Sequence, residues 1–589
     1  MSKSSALKRF AVWRNRFITD RQFLLILSVI IGFAVGLAAV IIKNLVHFIQ
    51  TGLADFAEDK SNFYFIIFPV IGILIAVLFV KYINRRPVRH GIPGVLFAIS
   101  KNYGDMRRHN LYSSIVTSAL TVGFGGSVGL EGPTVATGGA IGSAIGRLFG
   151  FNYKQITLML GCACAGAMAA IFKAPIAAVV FALEVIMLDL TMAAIVPLLI
   201  SSATATITAY QFLGQHETYS FTAKGLFQID HILFYLGFAV FTGLIAVYFT
   251  KMYMFITELF EKIKHFLLKL LIGGTLLGII IYLLPALYGE GYDVVNKSLN
   301  SDFSFLTSST IFNISGDNPF GVFVVLLAIL LVKVIATSLT FGSGGVGGVF
   351  APTLFSGAIS GLFFSFIFKE FGFEISSSNF ALLGMAGMIA AVIHAPLTAI
   401  FLIAELTGGY ELFMPLMIVS TISYATTKIF VKNSVYTFML AKRGELMTHH
   451  KDKAALMMLS VKELIETDFN ELHPNNTFGD LINTIKYAHR NIFPVVEEDG
   501  TFRGIVKLDD IRHIMFNPDI YENTYVRDVM FMPEHVIFTS DSMEEIARKF
   551  QESGRYNIAV LARAKYVGFI SRAKLFSSYR KLIKDFSEE

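Results

Sequence analysis

The sequence predicts an all-α, multi-pass membrane domain of two inverted repeats with broken and re-entrant helices, followed by a soluble α/β domain. Three observations carry this. With 54% hydrophobic and 16% charged residues in 589, and a mean hydropathy of +0.61, many windows exceed the ~18 apolar residues that mark a spanning helix. Next, the apolar part repeats. Gly166 to Pro175 with Glu184 returns as Gly387 to Pro396 with Glu405, an offset of 221 (396 − 175), and Glu131-Gly-Pro-Thr134 matches Phe350-Ala-Pro-Thr353 at 219 (350 − 131). Finally, the chain turns polar after Tyr436 through Lys442, Arg443, Glu445, His449, His450, Lys451, Asp452 and Lys453, then alternates helix-like and strand-like stretches from about Met458.

The basic start (Lys3, Lys8, Arg9, Arg14, Arg16, Arg21) precedes an apolar run from Phe23 to Ile42, too long for a signal-peptide core and therefore a retained first helix. Asp55, Glu58 and Asp59 are assigned to the next loop, and Lys81, Arg85, Arg86 and Arg89 to the one after Phe63–Val80. Excess Lys and Arg marks cytoplasmic loops, so both termini are expected inside, with Lys251, Lys262, Lys264 and Lys269 in an inner loop. The stretches around Glu217 and from Glu290 to Asp317 are basic-poor and read as outer loops. Several apolar pieces are short or interrupted: Gly91–Ser100, Pro133–Phe149, Pro175–Met187, Gly348–Phe368 and Pro396–Leu406. Broken helices at matching places in duplicated halves point to a transport site at the repeat interface.

Composition excludes other classes. The formal charge of +6 is scattered among short loops, so it is no nucleic-acid signal. Cys162 and Cys164 lie in an apolar segment, too few for a disulfide framework or metal site, and read as small packing residues.

The functional focus is Gly125-Gly-Ser-Val-Gly-Leu-Glu-Gly-Pro133, a glycine-rich run that places one acid, Glu131, in strongly apolar surroundings. Proline suits the first turn of a helix, and the preceding glycines let the backbone turn tightly. A helix start at membrane depth offers unpaired N–H groups and the positive end of a dipole, hence an anion site with Glu131 beside it. A carboxylate at mid-membrane costs roughly 2.5–3.5 kcal/mol even on insertion scales, so its presence suggests function.

Gly91-Ile-Pro93, Gly129-Leu-Glu-Gly-Pro133, Gly348-Val-Phe-Ala-Pro352 and the late Tyr436 occur in the order and context of the CLC family of chloride channels and proton-coupled chloride antiporters, which the chain resembles over nearly its whole length. The tail resembles a pair of CBS domains. The resemblance implies a domain plan of 1–445 for transport, 446–457 as linker, and CBS repeats at 458–520 and 521–589. It also implies a homodimer with one anion path per subunit, in a bacterial inner membrane. In that path the Val349 and Phe350 amides and the Tyr436 hydroxyl would hold the central anion, with Gly91, Ile92, Leu130 and Gly132 also lining it. Glu131 would be the gating, proton-accepting carboxylate, competing with anions and swinging away when protonated.

Two departures from the family pattern bear on mechanism. His90 stands where the first motif usually has a serine that touches the anion. An imidazole is larger and becomes cationic near pH ~6.5, so anion preference is open between chloride, fluoride and others. Where antiporters commonly carry two adjacent acids, this chain reads Glu184-Val185, lacking the inner proton acceptor. Glu184 and Glu405 are expected in helix-end roles. In the tail, resemblance to CBS pairs suggests an adenine nucleotide held by a hydroxyl residue and an aspartate. Neither copy keeps both: Gly504-Ile-Val-Lys507-Leu-Asp-Asp510 retains Asp510, and Gly568-Phe-Ile-Ser571-Arg-Ala-Lys574 retains Ser571. A purely structural role for the tail is an equal reading.

The expected activity is a non-enzymatic one: passive, gated chloride conduction, with proton-coupled exchange as the alternative. A CBS-bearing divalent-cation transporter would need clustered carboxylates that the membrane part lacks. A nucleotide sensor without transport would leave the interrupted helices unexplained.

Overall fold

The computed structural model describes residues 14, 16–57, 64–85, 91–186, 192–214, 229–300, 319–409, 411–442 and 459–587. Two compact units divide at residue 446, the first helical and the second mixed. In the first, the helices are α1 (Asp20–Ala57), α2 (Tyr64–Leu78), α3 (Gly91–Lys101), α4 (Asn110–Gly123), α5 (Glu131–Phe149), α6 (Tyr153–Phe172), α7 (Pro175–Phe181) and α8 (Met192–Leu213). They continue as α9 (Ile232–Lys262), α10 (Phe266–Leu283), α11 (Tyr292–Leu299), α12 (Pro319–Gly342), α13 (Phe350–Glu370), α14 (Ser377–Ile393), α15 (Pro396–Leu406), α16 (Phe413–Phe430) and α17 (Val435–Lys442). Among the described residues, nine helices are long and apolar enough to cross a membrane.

Three of the five pieces expected to be short or interrupted are so. The other two, Glu131–Phe149 and Phe350–Glu370, are continuous helices of 19 and 21 residues, the second long enough to cross a membrane, because Pro133 and Pro352 fall in the first turn rather than further in. At 11 residues each, α3 and α15 are about 16 Å long, half of a ~30 Å hydrocarbon layer. Seven residues make up α7, which runs on as a π-helical turn over Ala182–Ile186. Five residues assigned to loops lie on helices, among them Lys81, on a π-helical turn over Phe79–Asn84. The first helix runs to Ala57, so Asp55 sits on it rather than in a loop. Lys251 and Lys262 lie on α9 and Lys269 on α10, leaving only residues 263–265 between those helices. Long apolar helices simply carry their charged ends beyond the apolar window. Arg86, Arg89, His90, Met187, Glu217 and Asp317 lie outside the described residues.

Repeat mates meet one another in space. Gly129 and Gly348, 219 residues apart, exchange backbone bonds: the Gly129 N–H donates to the Gly348 carbonyl at 2.9 Å and the Gly348 N–H to the Gly129 carbonyl at 2.7 Å. The Ser127 N–H donates to the Thr340 hydroxyl at 3.2 Å, and the Val346 N–H to the Thr121 hydroxyl at 3.1 Å, the same bond with the mates interchanged. An antiparallel exchange between equivalent residues places a local two-fold axis through the contact, which is what inverted repeats require. Close helix packing follows from small residues: a Cβ on Gly384 would press on the Gly357 carbonyl, and one on Gly361 on the Phe380 carbonyl, where α13 crosses α14. Cys162 and Cys164 are buried in α6 and unpaired, Cys162 lying 3.7 Å from the Ser28 hydroxyl.

In the second unit, an antiparallel pair β1 (Ile492–Val496) and β2 (Phe502–Lys507) follows a helix at Phe478–Tyr487. A helix at Met543–Ser553 then leads to β4 (Asn557–Ala562) and β5 (Lys565–Ser571), antiparallel, with β3 (Ile537–Phe538) parallel to β4. The two halves share a core in which Phe469, Phe502 and Ile505 pack with Leu561 and Phe569.

Glu184 and Glu405 bind the halves of the membrane unit reciprocally. The Leu397 and Thr398 N–H groups at the start of α15 donate to Glu184 at 3.1 and 2.8 Å, with the Thr398 hydroxyl adding a third bond at 2.7 Å. The Ile176 and Ala177 N–H groups at the start of α7 donate to Glu405 at 3.0 and 2.7 Å. Each acid thus caps a helix of the other repeat, where carboxylates are favoured by both orphan amides and the helix dipole. Glu184→Ala and Glu405→Ala are each expected to destabilise the protein by about 1–2 kcal/mol, with Glu184→Gln less affected. Thermal unfolding in detergent checks this, and an unchanged midpoint in both alanine variants would remove the capping role.

Candidate functional site

Three glycine segments converge on the repeat axis. Gly91 opens α3 at φ +43, and a Cβ there would stand 3.0 Å from the Gly132 Cα. One on Gly132 would stand 3.1 Å from the Gly348 Cα. Backbones approach this closely only without side chains, which is why the motif residues are glycines. The starts of α5 and α13 follow immediately. Their ladders begin with the Thr134 N–H to the Leu130 carbonyl and the Thr353 N–H to the Val349 carbonyl, both 3.0 Å. The amides of Glu131, Gly132, Phe350 and Ala351 therefore precede both ladders, and two positive helix ends face one spot.

Glu131 occupies that spot. It is fully buried, so it does not snorkel to a membrane surface. Its Oε1 accepts the Tyr292 hydroxyl at 2.7 Å. Among the described residues its Oε2 has no hydrogen-bond partner, and it lies over the Gly129–Gly348 bridge, 3.3 Å from where a Gly348 Cβ would be. Tyr436, on α17 beside α3, α9 and α14, is 4% exposed, and its hydroxyl also lacks a partner. It lies near enough to Glu131 to feel that carboxylate's charge. The site thus combines helix-start amides, a phenol donor and one carboxylate, all buried, a set that suits an anion and one competing tethered acid.

The other expected residues fall as follows. Ile92 is in the first turn of α3 with its side chain buried. Val349 caps α13, and the Phe350 ring packs on Phe172 at 5.2 Å and Phe181 at 6.4 Å, leaving the backbone at the helix start. The Leu130 amide is occupied, donating to Glu290 Oε1 at 3.1 Å. His90 lies outside the described residues. Val185 is half-buried on the π-helical turn after α7. In the tail, Ser571 donates to Glu466 Oε1 at 2.6 Å while Arg490 holds Glu466 Oε2 at 2.9 Å, and Asp510 is exposed.

Sequence reasoning missed a buried charged group. Glu290, in the turn before α11, accepts the Leu130 N–H, a partner the sequence did not suggest. Lys333, completely buried in α12, donates to the Ser127 hydroxyl at 2.9 Å and lies 4.5 Å from the Phe355 ring centroid. Lys43 donates to the Ile171 carbonyl at 2.7 Å, at the end of α6. A single lysine in a 24-residue apolar helix and a glutamate between two glycines were the available signals. Neither reveals its partner, because the contacts span 128 to 206 residues of chain.

Residues 71–428 match the voltage gated chloride channel family, and residues 461–517 match the CBS domain. A chloride channel protein of the ClcB-like type from Ralstonia nicotianae, so named provisionally, is 28% identical, the match covering 72% of this chain and 97% of that relative. The H(+)/Cl(-) exchange transporter ClcA of Vibrio cholerae is 26% identical over 72% of this chain and 91% of its own. The crystal structure of a eukaryotic CLC transporter superposes with a TM-score of 0.61 at 18% identity, covering 94% of this chain and 97% of the other, a likeness of fold.

Because the Tyr436 hydroxyl bonds to no protein group among the described residues, Tyr436→Phe is expected to leave stability within about 0.5 kcal/mol of wild type. A marked fall in the thermal midpoint would show that the hydroxyl is needed by the fold itself.

Proposed function

The chain belongs to the voltage gated chloride channel family, the CLC anion transporters, and on that premise we propose that it conducts chloride passively through a path that the Glu131 carboxylate opens and closes. One observation carries this reading: a buried carboxylate oxygen without a partner at the joint start of two helices. A tethered anion sits where the helix ends would hold a free one, so the two compete. Partial dipole charge, amides and a phenol bind an anion weakly enough to release it, as conduction requires. Protonation removes the charge that holds Glu131 there and lets an anion replace it. Flux therefore rises as pH falls.

Passive conduction is supported by the state of the other acids. Glu184 and Glu405 each commit both oxygens to helix-start amides, and Val185 offers no proton. The second reading, proton-coupled exchange, draws on the name of the Vibrio relative and on the same Glu131, which would then carry protons as well as gate. We further propose a homodimer with both termini cytoplasmic, in a bacterial inner membrane. The tail acts as a structural module, since the Ser571 hydroxyl is already taken by Glu466.

Glu131→Gln and Glu131→Ala are expected to give anion flux that is constitutive and independent of pH. Liposome efflux across a pH series reads this, and steep pH dependence in both variants would remove Glu131 from the gate. Tyr436→Ala should weaken anion binding by about 1.5–3 kcal/mol, the range for a hydrogen bond to a charged group, as measured by calorimetry. With an imposed chloride gradient as sole driving force, wild type should dissipate it without proton uptake. Stoichiometric proton movement that disappears in Glu131→Gln would establish exchange instead.

A further inference from the structure

Resting on Glu131 as the gate, we infer that Tyr292 is a positioning residue, a latch whose hydroxyl holds the Glu131 carboxylate in the anion path and so sets the pH at which the path opens. The bond is direct, from the Tyr292 hydroxyl to Glu131 Oε1 at 2.7 Å. Among the described residues Tyr292 is the side chain that bonds to this carboxylate, whose other oxygen lies at the helix-start amides.

The segment that delivers Tyr292 is built onto the Glu131 loop. The Ser127 hydroxyl donates to the Leu287 carbonyl at 2.7 Å, the Gly289 N–H to the Gly125 carbonyl at 3.3 Å, and the Leu130 N–H to Glu290 Oε1 at 3.1 Å. Lys333 clasps both sides at once, reaching the Ser127 hydroxyl at 2.9 Å and the Gly289 carbonyl at 3.4 Å. Gly289 and Gly291 take φ of +60 and +85, turns that bring the chain back at Tyr292. A Cβ on Gly291 would meet the Phe355 ring at 2.5 Å, so the turn is seated against α13. A latch held this firmly acts on the carboxylate rather than following it.

The titratable and charged groups around Glu131 are Tyr292, Glu290, Lys43, Lys333 and Tyr436. Of these, Tyr292 alone bonds to the carboxylate in its in-path position. A donor hydrogen bond favours the ionised acid over the protonated one. Removing it makes Glu131 easier to protonate and to release. The sign is therefore a profile moved toward higher pH.

The test measures chloride efflux from liposomes between acid and neutral pH for wild type, Tyr292→Phe and Tyr292→Leu, each also combined with Glu131→Ala. Both single variants are expected to move the half-activation pH upward by roughly one unit, a tenfold change in the opening equilibrium. Neither should alter flux in the Glu131→Ala background, because the latch acts only through that carboxylate. An unmoved profile in Tyr292→Phe, with Glu131→Ala pH-independent, overturns the latch and leaves the gate standing. Equal effects of Tyr292→Phe with and without Glu131 overturn it too, since the residue then shapes the path itself. Steep pH dependence in Glu131→Ala would instead remove the gate on which the latch rests.

Discussion

The membrane unit depends on the two backbone hydrogen bonds that join Gly129 to Gly348. Irregular backbone cannot be left unsatisfied where water is absent. Here each repeat satisfies the other with the residue that holds the same place in its own sequence. The Thr121 and Thr340 hydroxyls extend the pairing by one loop turn. Since the contact brings Gly132 against Gly348 with no room for side chains, two helix starts must open onto one point. The anion-attracting character of that point follows from the packing of the two repeats and needs no cationic side chain at its centre.

Charge then breaks the symmetry. The mate of Glu131 is Phe350, whose ring is wedged between Phe172 and Phe181. One repeat supplies a tethered carboxylate, the other a fixed backbone. Burying Glu131 alone would be costly, as would burying Lys333 alone. The structure gathers Glu131 and Glu290 with Lys43 and Lys333, two acids and two bases, so the group is neutral when all are ionised. The four side chains come from α1, from the start of α5, from the turn before α11 and from α12.

Glu184 and Glu405 show the opposite case. They are mates, and they do the same job in mirror fashion, each with both oxygens bonded to amides of the other repeat. A carboxylate held by two amides is fixed in place. Glu184 and Glu405, which recur in both halves, serve the architecture, whereas Glu131 keeps one oxygen free of such a bond among the described residues. The same distinction operates in the tail, where Ser571 is tied to Glu466 and Arg490 before any ligand is considered.

The amino-acid sequence alone determined the class, the duplication, the helix starts and the presence of an acid, Glu131, in buried apolar surroundings, because these depend on local quantities: apolar length, glycine and proline at turns, and an acid out of place. It also anticipated the helix-end roles of Glu184 and Glu405 through their shared offset. It misjudged where α1 ends, since a hydropathy window stops at the first charges while a helix continues as long as its backbone bonds can form. It gave Glu290 no partner and passed over Tyr292 and Lys333. Those three residues gain their meaning from contacts with Leu130, Glu131 and Ser127, 160 or more positions away. Only tertiary structure decides such partners, because a buried polar group is matched by whatever the packed chain brings within hydrogen-bond reach, and no periodicity along the sequence encodes that distance.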